Sequence, residues 1–228
     1  MTDAPFMQLL ARVVSGLLDV LAPPGCAACD APCVAAFCDN CGALSAGGER
    51  AELDGVPLFV AGDYAPPLST AITRFKYEGR AELSRCLARL LLPAVDEWAL
   101  PPETTLVPVP LHPRRLATRG YNQAALLAQD LARGSRLTCD PRLLRRARET
   151  ERQVGKSRVA RLTNASGAFE LRRRAAGGNV VLVDDVVTTG STVRACAQAL
   201  AQGGATLVGI VALARAQAPA TPPDSHRR

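Results

Sequence analysis

Residues 180–192 read Val-Val-Leu-Val-Asp-Asp-Val-Val-Thr-Thr-Gly-Ser-Thr, and they constrain this chain more than any other stretch. Val180 to Val183 is a continuous, mostly β-branched apolar run, as expected for a strand covered on both faces. It delivers Asp184 and Asp185 to its C-terminal end. The next residues are small, hydroxylated and Gly-bearing, and they open a helix expected from Ser191 to Gln202. Gly203-Gly204 ends that helix. A second buried strand is expected from Thr206 to Leu213. A strand–loop–helix–strand unit implies a parallel α/β sheet with helices on its faces. In such sheets, ligands bind at the carboxyl ends of the strands.

The chemistry of the loop follows from its residues. Backbone N–H groups at a helix N-terminus form an anion site. Hydroxyls add donors, and Gly190 allows the backbone to approach closely. Two carboxylates beside that site would repel a phosphate. They make sense facing sugar hydroxyls, or a Mg²⁺ that bridges them to a pyrophosphate. A phosphorylated ribose is the natural ligand. An ordinary strand–helix turn accounts for one Asp and one Thr, but poorly for Asp-Asp followed by Thr-Thr-Gly-Ser-Thr. No Walker A loop and no G-x-G-x-x-G fingerprint competes for the phosphate role. Only His112 lies within the core and His226 is in the tail, so Ser-His-Asp or His-metal hydrolysis lacks its parts. His112 reads equally as capping or orienting its loop and as acting chemically.

Charge supports the same ligand class. The net charge is +6, and the window from His112 to Arg161 holds 13 Lys and Arg against 4 Asp and Glu. Nearly all of these cations are arginines; the only lysines are Lys76 and Lys156. Arg forks suit phosphates by bidentate geometry. The excess fits a polyanion, either a pyrophosphate or a nucleic acid, and by itself fits a solvated basic face equally; the loop above tips the choice to the polyanion.

Five of the eight cysteines lie between Cys26 and Cys41. Cys26-x2-Cys29 and Cys38-x2-Cys41 are paired units, with Cys33 in the gap. In a reducing compartment this spacing argues for a metal rather than disulfides. Four thiolates satisfy tetrahedral Zn²⁺ in a closed, structural site. A redox-active thiol cluster and an iron–sulfur cluster are the alternatives. Pro23, Pro24, Gly25 and Gly42 supply turns. Cys86, Cys139 and Cys196 read as small buried hydrophobes.

The 228 residues suffice for one substantial core, alone or with a small module. Aromatics make up only 4%, so Ala, Val and Leu must build that core. Phe6 to Leu21 carries Arg12 and Asp19 and is too short to span a membrane; it reads as an amphipathic helix packed on the protein. Asp3 precedes it, no cation does, and no small-residue cleavage site follows, so it does not read as a signal peptide. A cytoplasmic location is expected. Leu44 to Asp54 reads as a linker and Val56 to Tyr64 as a strand or hairpin. Leu68 to Val95 reads as helical with a break at Gly79. Thr105 to Pro110 is a short strand ending in a Pro-bounded loop, and Ala124 to Arg133 a helix. The stretch from Pro141 to Gly167 has no clear periodicity. The last dozen residues read as disordered.

At residues 180–192 the chain resembles the 5-phosphoribosyl 1-pyrophosphate (PRPP) signature of type I phosphoribosyltransferases. Further segments resemble the competence protein F (ComF) branch of that superfamily. They are residues 75–80, residues 107–112, residues 119–123, and Arg148, Thr150, Gln153, Arg161, Asn164, Ala168 and Phe169 at family spacing. The resemblance covers nearly the whole chain, to about Arg215. Two departures stand out: Tyr121 replaces the usual Phe, and Lys156 the usual Leu. The resemblance implies a type I phosphoribosyltransferase-like parallel sheet flanked by helices over residues 51–216. Ahead of it stand an N-terminal helix and zinc knuckle in residues 1–50, with ligands Cys26, Cys29, Cys38 and Cys41. A disordered tail covers 217–228. It implies that Asp184 and Asp185 hold the ribose hydroxyls and that Thr188, Thr189, Gly190, Ser191 and Thr192 cradle the 5-phosphate. Val183, Val186 and Val187 complete that segment. Arg114 and Arg115 would lie near the pyrophosphate. Arg119, Asn122, Gln123 and the stretch from Arg148 to Arg161 would form a mobile cover. The implied cofactors are Mg²⁺ with PRPP and structural Zn²⁺. The implied reaction is displacement of Mg-pyrophosphate from ribose C1 by an acceptor that the sequence does not identify. The implied setting is DNA uptake beside a helicase-like competence protein.

A non-catalytic role in holding single-stranded DNA or a protein partner is the competing expectation. Phe75, Tyr77 and Tyr121 interleave with Arg74, Lys76, Arg80 and Arg119, as stacking platforms for single strands do. The plainer expectation is that Phe75 and Tyr77 are helix core.

Overall fold

The computed structural model describes residues 25–44, 47–101, 103–146, 168–173 and 177–216. The expected helix at 6–21, the cover at 148–161 with Lys156, and the tail lie outside the described residues. Helices are α1 (Asp39–Ala43), α2 (Leu68–Tyr77), α3 (Leu83–Arg89), α4 (Leu92–Glu97), α5 (Pro113–Arg119), α6 (Gln123–Gly134) and α7 (Ser191–Gln202). Strands are β1 (Glu49–Leu53), β2 (Val56–Asp63), β3 (Thr105–Pro108), β4 (Thr138–Cys139), β5 (Leu144–Arg146), β6 (Phe169–Leu171), β7 (Asn179–Val187) and β8 (Thr206–Arg215).

Six strands form one sheet in the order β1-β2-β8-β7-β3-β4. From β2 to β4 every neighbour is parallel. Only β1 is antiparallel, hairpinned onto β2. Residues 49–53 therefore correct the linker reading: they are a strand. Asp54 and Gly55 both take positive φ, 53° and 80°, in the two-residue turn. That backbone matches the twist of a tight hairpin, and Asp-Gly is the dipeptide that adopts it most readily. The helical reading of 68–95 resolves into α2, α3 and α4.

The sheet is covered on both faces, and the two-residue period of a strand sorts the core. Val181 and Val183 of β7, Val211 and Leu213 of β8, and Leu106 of β3 face α2, α3, α4 and α6. Val180, Leu182, Ile210, Ala212 and Val107 face α7 and the small β5–β6 sheet. This double cover makes β7 apolar at every position from Val180 to Val183, because neither side meets water. Cys86 and Cys196 are buried, as expected for small hydrophobes, and Cys139 is partly covered. No helix among the described residues is long and apolar enough to cross a membrane.

Residues 25–38 dock on the α2–α4 face. Cys26, Ala27, Ala36 and Phe37 belong to the same apolar cluster as those helices. Arg74 of α2 donates to the carbonyl of Ala27 at 3.1 Å and pairs with Asp30. Arg80 reaches Asp30 at 3.1 Å, and Arg89 of α3 donates to the carbonyl of Val34 at 3.1 Å.

Candidate functional site

Strand order fixes where a ligand can enter. From β3 the chain crosses through α6 to β4 on one side. From β7 it crosses through α7 to β8 on the other. The crossovers use opposite faces of the sheet, so a crevice opens between the carboxyl ends of β3 and β7, as at any such switch point. β3 ends at Pro108, opposite Val183. β7 runs on as a strand through Asp184 and Asp185 to Val187, paired only with β8 on that side. The carboxylates thus stand inside the strand, past the end of β3, where the sequence reading placed them at its tip.

A cavity of about 370 Å³ occupies this crevice. Asp184, Asp185, Val186, Thr188 and Thr192 line it from β7 and the start of α7. Of the other residues singled out in this segment, Val183 and Val187 point into the two cores and Gly190 is buried, while Thr189 and Ser191 are exposed on the loop. Gly190 caps α7 with φ 76°, a left-handed conformation that suits glycine. A side chain there would meet the Leu53 methyls of β1 at 2.8 and 2.9 Å. The hairpin also holds the loop by charge. Asp54 accepts from Arg194 Nε at 2.7 Å, and Arg194 Nη1 donates to the carbonyl of Thr189 at 2.7 Å.

The facing wall comes from α5 and α6. His112 accepts from the Arg114 N–H at 3.2 Å and so caps α5, one of the two roles read for it. Arg115 lines the cavity; Arg114 sits on the same first turn without lining it. Asn122 caps α6 and donates through Nδ2 to the carbonyl of Val109 at 3.0 Å, tying that helix to the end of β3. Arg119 donates to Gln123 at 3.1 Å and lies 4.6 Å over the Tyr77 ring.

Two lining cations had no place in the phosphoribosyl site as read from sequence, where Lys76 was set only among the cations of the single-strand reading. Lys76 of α2 pairs with Asp185, Nζ to Oδ1, at 2.8 Å. Arg146 of β5 enters from the opposite face and packs 5.2 Å over Phe169. The signals for Lys76 were its rarity, a lysine in a chain whose cations are otherwise nearly all arginine, and its place in the family-like segment 75–80. The last turn of α2 is committed residue by residue: Arg74 to residues 27 and 30, Phe75 to the core, Lys76 to Asp185, and Tyr77 to Arg119. Phe75 is fully buried, as the plainer expectation had it, but Tyr77 is 67% exposed, which that expectation missed. Tyr121 donates its hydroxyl to the carbonyl of Phe75 at 2.5 Å, and its ring lies tilted by 34° against the Phe75 ring at 5.9 Å.

Burial pushes the Asp184 carboxyl up to about 8, and the neighbouring charge of Asp185 adds to it; Lys76 opposes both. The Asp184 carboxylate accepts the Asp185 N–H at 2.8 Å. The cavity therefore combines a cationic rim, a helix N-terminus with threonine hydroxyls, and two carboxyls. Its chemistry can meet anionic oxygens and hydroxyls side by side.

The four cysteines converge in the segment that Arg74 of α2 holds through Ala27 and Asp30. The sulfurs of Cys26, Cys29, Cys38 and Cys41 all lie within 4.8 Å of one another. Cys38 caps α1, which carries Cys41 one turn on, so Gly42 is helical where a turn was expected. Cys29 lies 3.7 Å from Cys38 and 3.8 Å from Cys41. Four sulfurs at about 2.3 Å from a central ion stand roughly 3.8 Å apart in a tetrahedron. The set is therefore sized for one tetrahedral metal ion and is far too open for disulfides. Burial raises the Cys26 thiol, but hydrogen bonds from the backbone of Cys38, Ala28 and Cys29 outweigh it and bring it down to about 6.

Comparison with known proteins places this geometry. Residues 116–228 match the model of the phosphoribosyl transferase domain. The chain is 41% identical over 162 residues to the DNA utilization protein YhgH of Salmonella typhi, covering 69% of this chain and 71% of that one. It is 37% identical over 166 residues to competence protein F of Haemophilus influenzae, covering 70% and 72%. Competence protein ComFC of Bacillus subtilis matches at 32% over 142 residues, 62% of this chain and 56% of its own.

Proposed function

The chain belongs to the ComF family of phosphoribosyltransferase-domain proteins, and on that premise we propose that its cavity binds PRPP with Mg²⁺. The observation that carries this reading is the pairing of the Asp184–Asp185 carboxyls with the Thr188–Thr192 turn at the start of α7, in one cavity. Carboxyls suit the ribose hydroxyls, and the helix N-terminus with its hydroxyls suits the 5-phosphate. Arg115 and its neighbouring cations suit the pyrophosphate. Mg²⁺ travels with the pyrophosphate and supplies charge neutralisation there. Transfer would break the bond from C1 to pyrophosphate and form one to an acceptor. This chain's part is positioning and neutralisation of the leaving group's charge.

Zn²⁺ suits the four-thiolate set, and its role is structural because no ligand position is left open. The names of the relatives support a role in the handling of DNA, and we propose a cytoplasmic location. A second reading has one observation behind it. Exposed Tyr77 carries Arg119 on its face at the cavity mouth, an arrangement that suits a base of single-stranded DNA.

Calorimetric titration with PRPP and Mg²⁺ tests the first reading. Wild type should bind, and the double variant Asp184→Asn/Asp185→Asn should not. If neither binds while both are folded, the phosphoribosyl site is a retained scaffold and the single-strand reading takes its place.

A further inference from the structure

Lys76 reaches Asp185 from the helix that covers that face of the sheet. Asp185 follows Val181 and Val183 in the two-residue period, so its side chain projects toward α2, whereas Asp184 projects the other way. The pair is 2.8 Å apart, with side chains only 13% and 15% exposed, and both residues line the cavity. Withdrawing an ammonium from water to this extent is costly unless its donors are used. An ammonium has three donors, and the contact with Asp185 takes one. The other lining arginines are differently placed: Arg119 is spent on Gln123 and Tyr77, Arg146 packs on Phe169, and Arg115 is exposed.

The choice of side chain adds to the case. The exposed carboxylates Asp30 and Asp54 are met by arginine, at Arg74 and Arg80 and at Arg194, whereas the mostly buried Asp185 is met by a lysine. A guanidinium is a broad planar fork, whereas an ammonium is a compact point charge whose three donors fan out from one atom, so the donors left over by Asp185 can turn toward a ligand in the same cavity. We propose that Lys76 is a binding residue of the phosphoribosyl site, its ammonium held by Asp185 and donating to a phosphate or pyrophosphate oxygen of the bound ligand. The assignment rests on the PRPP reading. The anchoring of Arg74, Phe75 and Tyr77 on either side makes the last turn of α2 the platform that sets where this charge stands.

Calorimetry with PRPP and Mg²⁺ on wild type, Lys76→Gln and Lys76→Arg decides it, with thermal melts of the free proteins to report the fold. Glutamine keeps a donor toward Asp185 but no charge. Lys76→Gln should melt as a folded protein yet bind roughly ten- to a hundredfold more weakly, the worth of one charge-assisted hydrogen bond. Lys76→Arg, which keeps the charge, should stay much closer to wild type. Binding of Lys76→Gln within about threefold of wild type would show that Lys76 serves Asp185 alone, and equal losses in the two variants would show that charge is not what matters; either overturns the assignment. Should Lys76→Gln fail to fold, a folded Lys76→Arg that has lost more than about tenfold overturns it. Absence of binding by wild type removes the PRPP reading itself, and this assignment with it.

Discussion

Asp184 is held at a cost in the free protein, and the cost has a sign that can be measured. Its carboxyl is raised to about 8, by burial first and by Asp185 second. The unfolded chain releases that proton near the ordinary carboxylate value of about 4. Between these two values the native state holds a proton that the unfolded state has lost, so stability falls as pH rises through the window and is level above it. Asp184→Asn removes the penalty. Its unfolding free energy should match wild type near pH 4 and exceed it by an amount on the order of a few kcal/mol at pH 8 and above. Urea titrations at both ends of the window check this; a less stable variant at pH 8 would mean that the carboxylate is better solvated than its packing implies. Gly190 gives a second test. Alanine there must accept φ 76° and displace the Leu53 methyls, for about 1–3 kcal/mol by thermal melting, with weaker PRPP binding as the loop shifts. Asp184, Asp185 and Gly190 were legible because their chemistry is written in adjacent residues. Lys76 and Arg146 were not, because their places in the cavity depend on packing between distant segments.

Elements were legible where periodicity was strong and flanked by punctuation. α7 runs from Ser191 to Gln202 as read, because one face repeats at Val193, Cys196, Ala199 and Leu200 and two glycines stop it. β7 was read short, because its carboxylates break the apolar run while the ladder to β8 continues. β1 was missed because its polar residues resemble a linker, and only the Asp-Gly turn betrayed it. β8 holds an irregularity that no pattern revealed. Val180 pairs with Leu207 and Val181 with Gly209, which leaves Val208 as the extra residue. The ring of Trp98, following α4, lies on Gly209, and a side chain there would meet it at 2.5 Å. Gly209→Ala should therefore cost about 1–3 kcal/mol through overpacking and shift the emission of the single tryptophan. Unchanged stability and fluorescence would show that the ring can slide aside.

At the scale of the whole molecule, the metal knuckle and the cavity share one helix. Cys26, Ala27, Ala36 and Phe37 lie in the same apolar cluster as α2 to α4, and Asp30 receives both Arg74 and Arg80. Chelation should speed amide exchange in α2 and α3 and weaken PRPP binding, while β7, β8 and α7 keep their protection. Unaltered exchange in α2 would show that packing alone holds the knuckle in place. The sheet itself carries a further implication. One margin is β4, a strand of two residues; the other is β1, with Glu49, Arg50 and Glu52 along its exposed side and with Arg50 and Glu49 engaged by Glu97 and Arg215. Short or charge-studded margins do not template a neighbouring chain. Concentrated solutions of this protein should therefore resist strand-to-strand aggregation, and any association between copies should run through helical or loop surfaces instead.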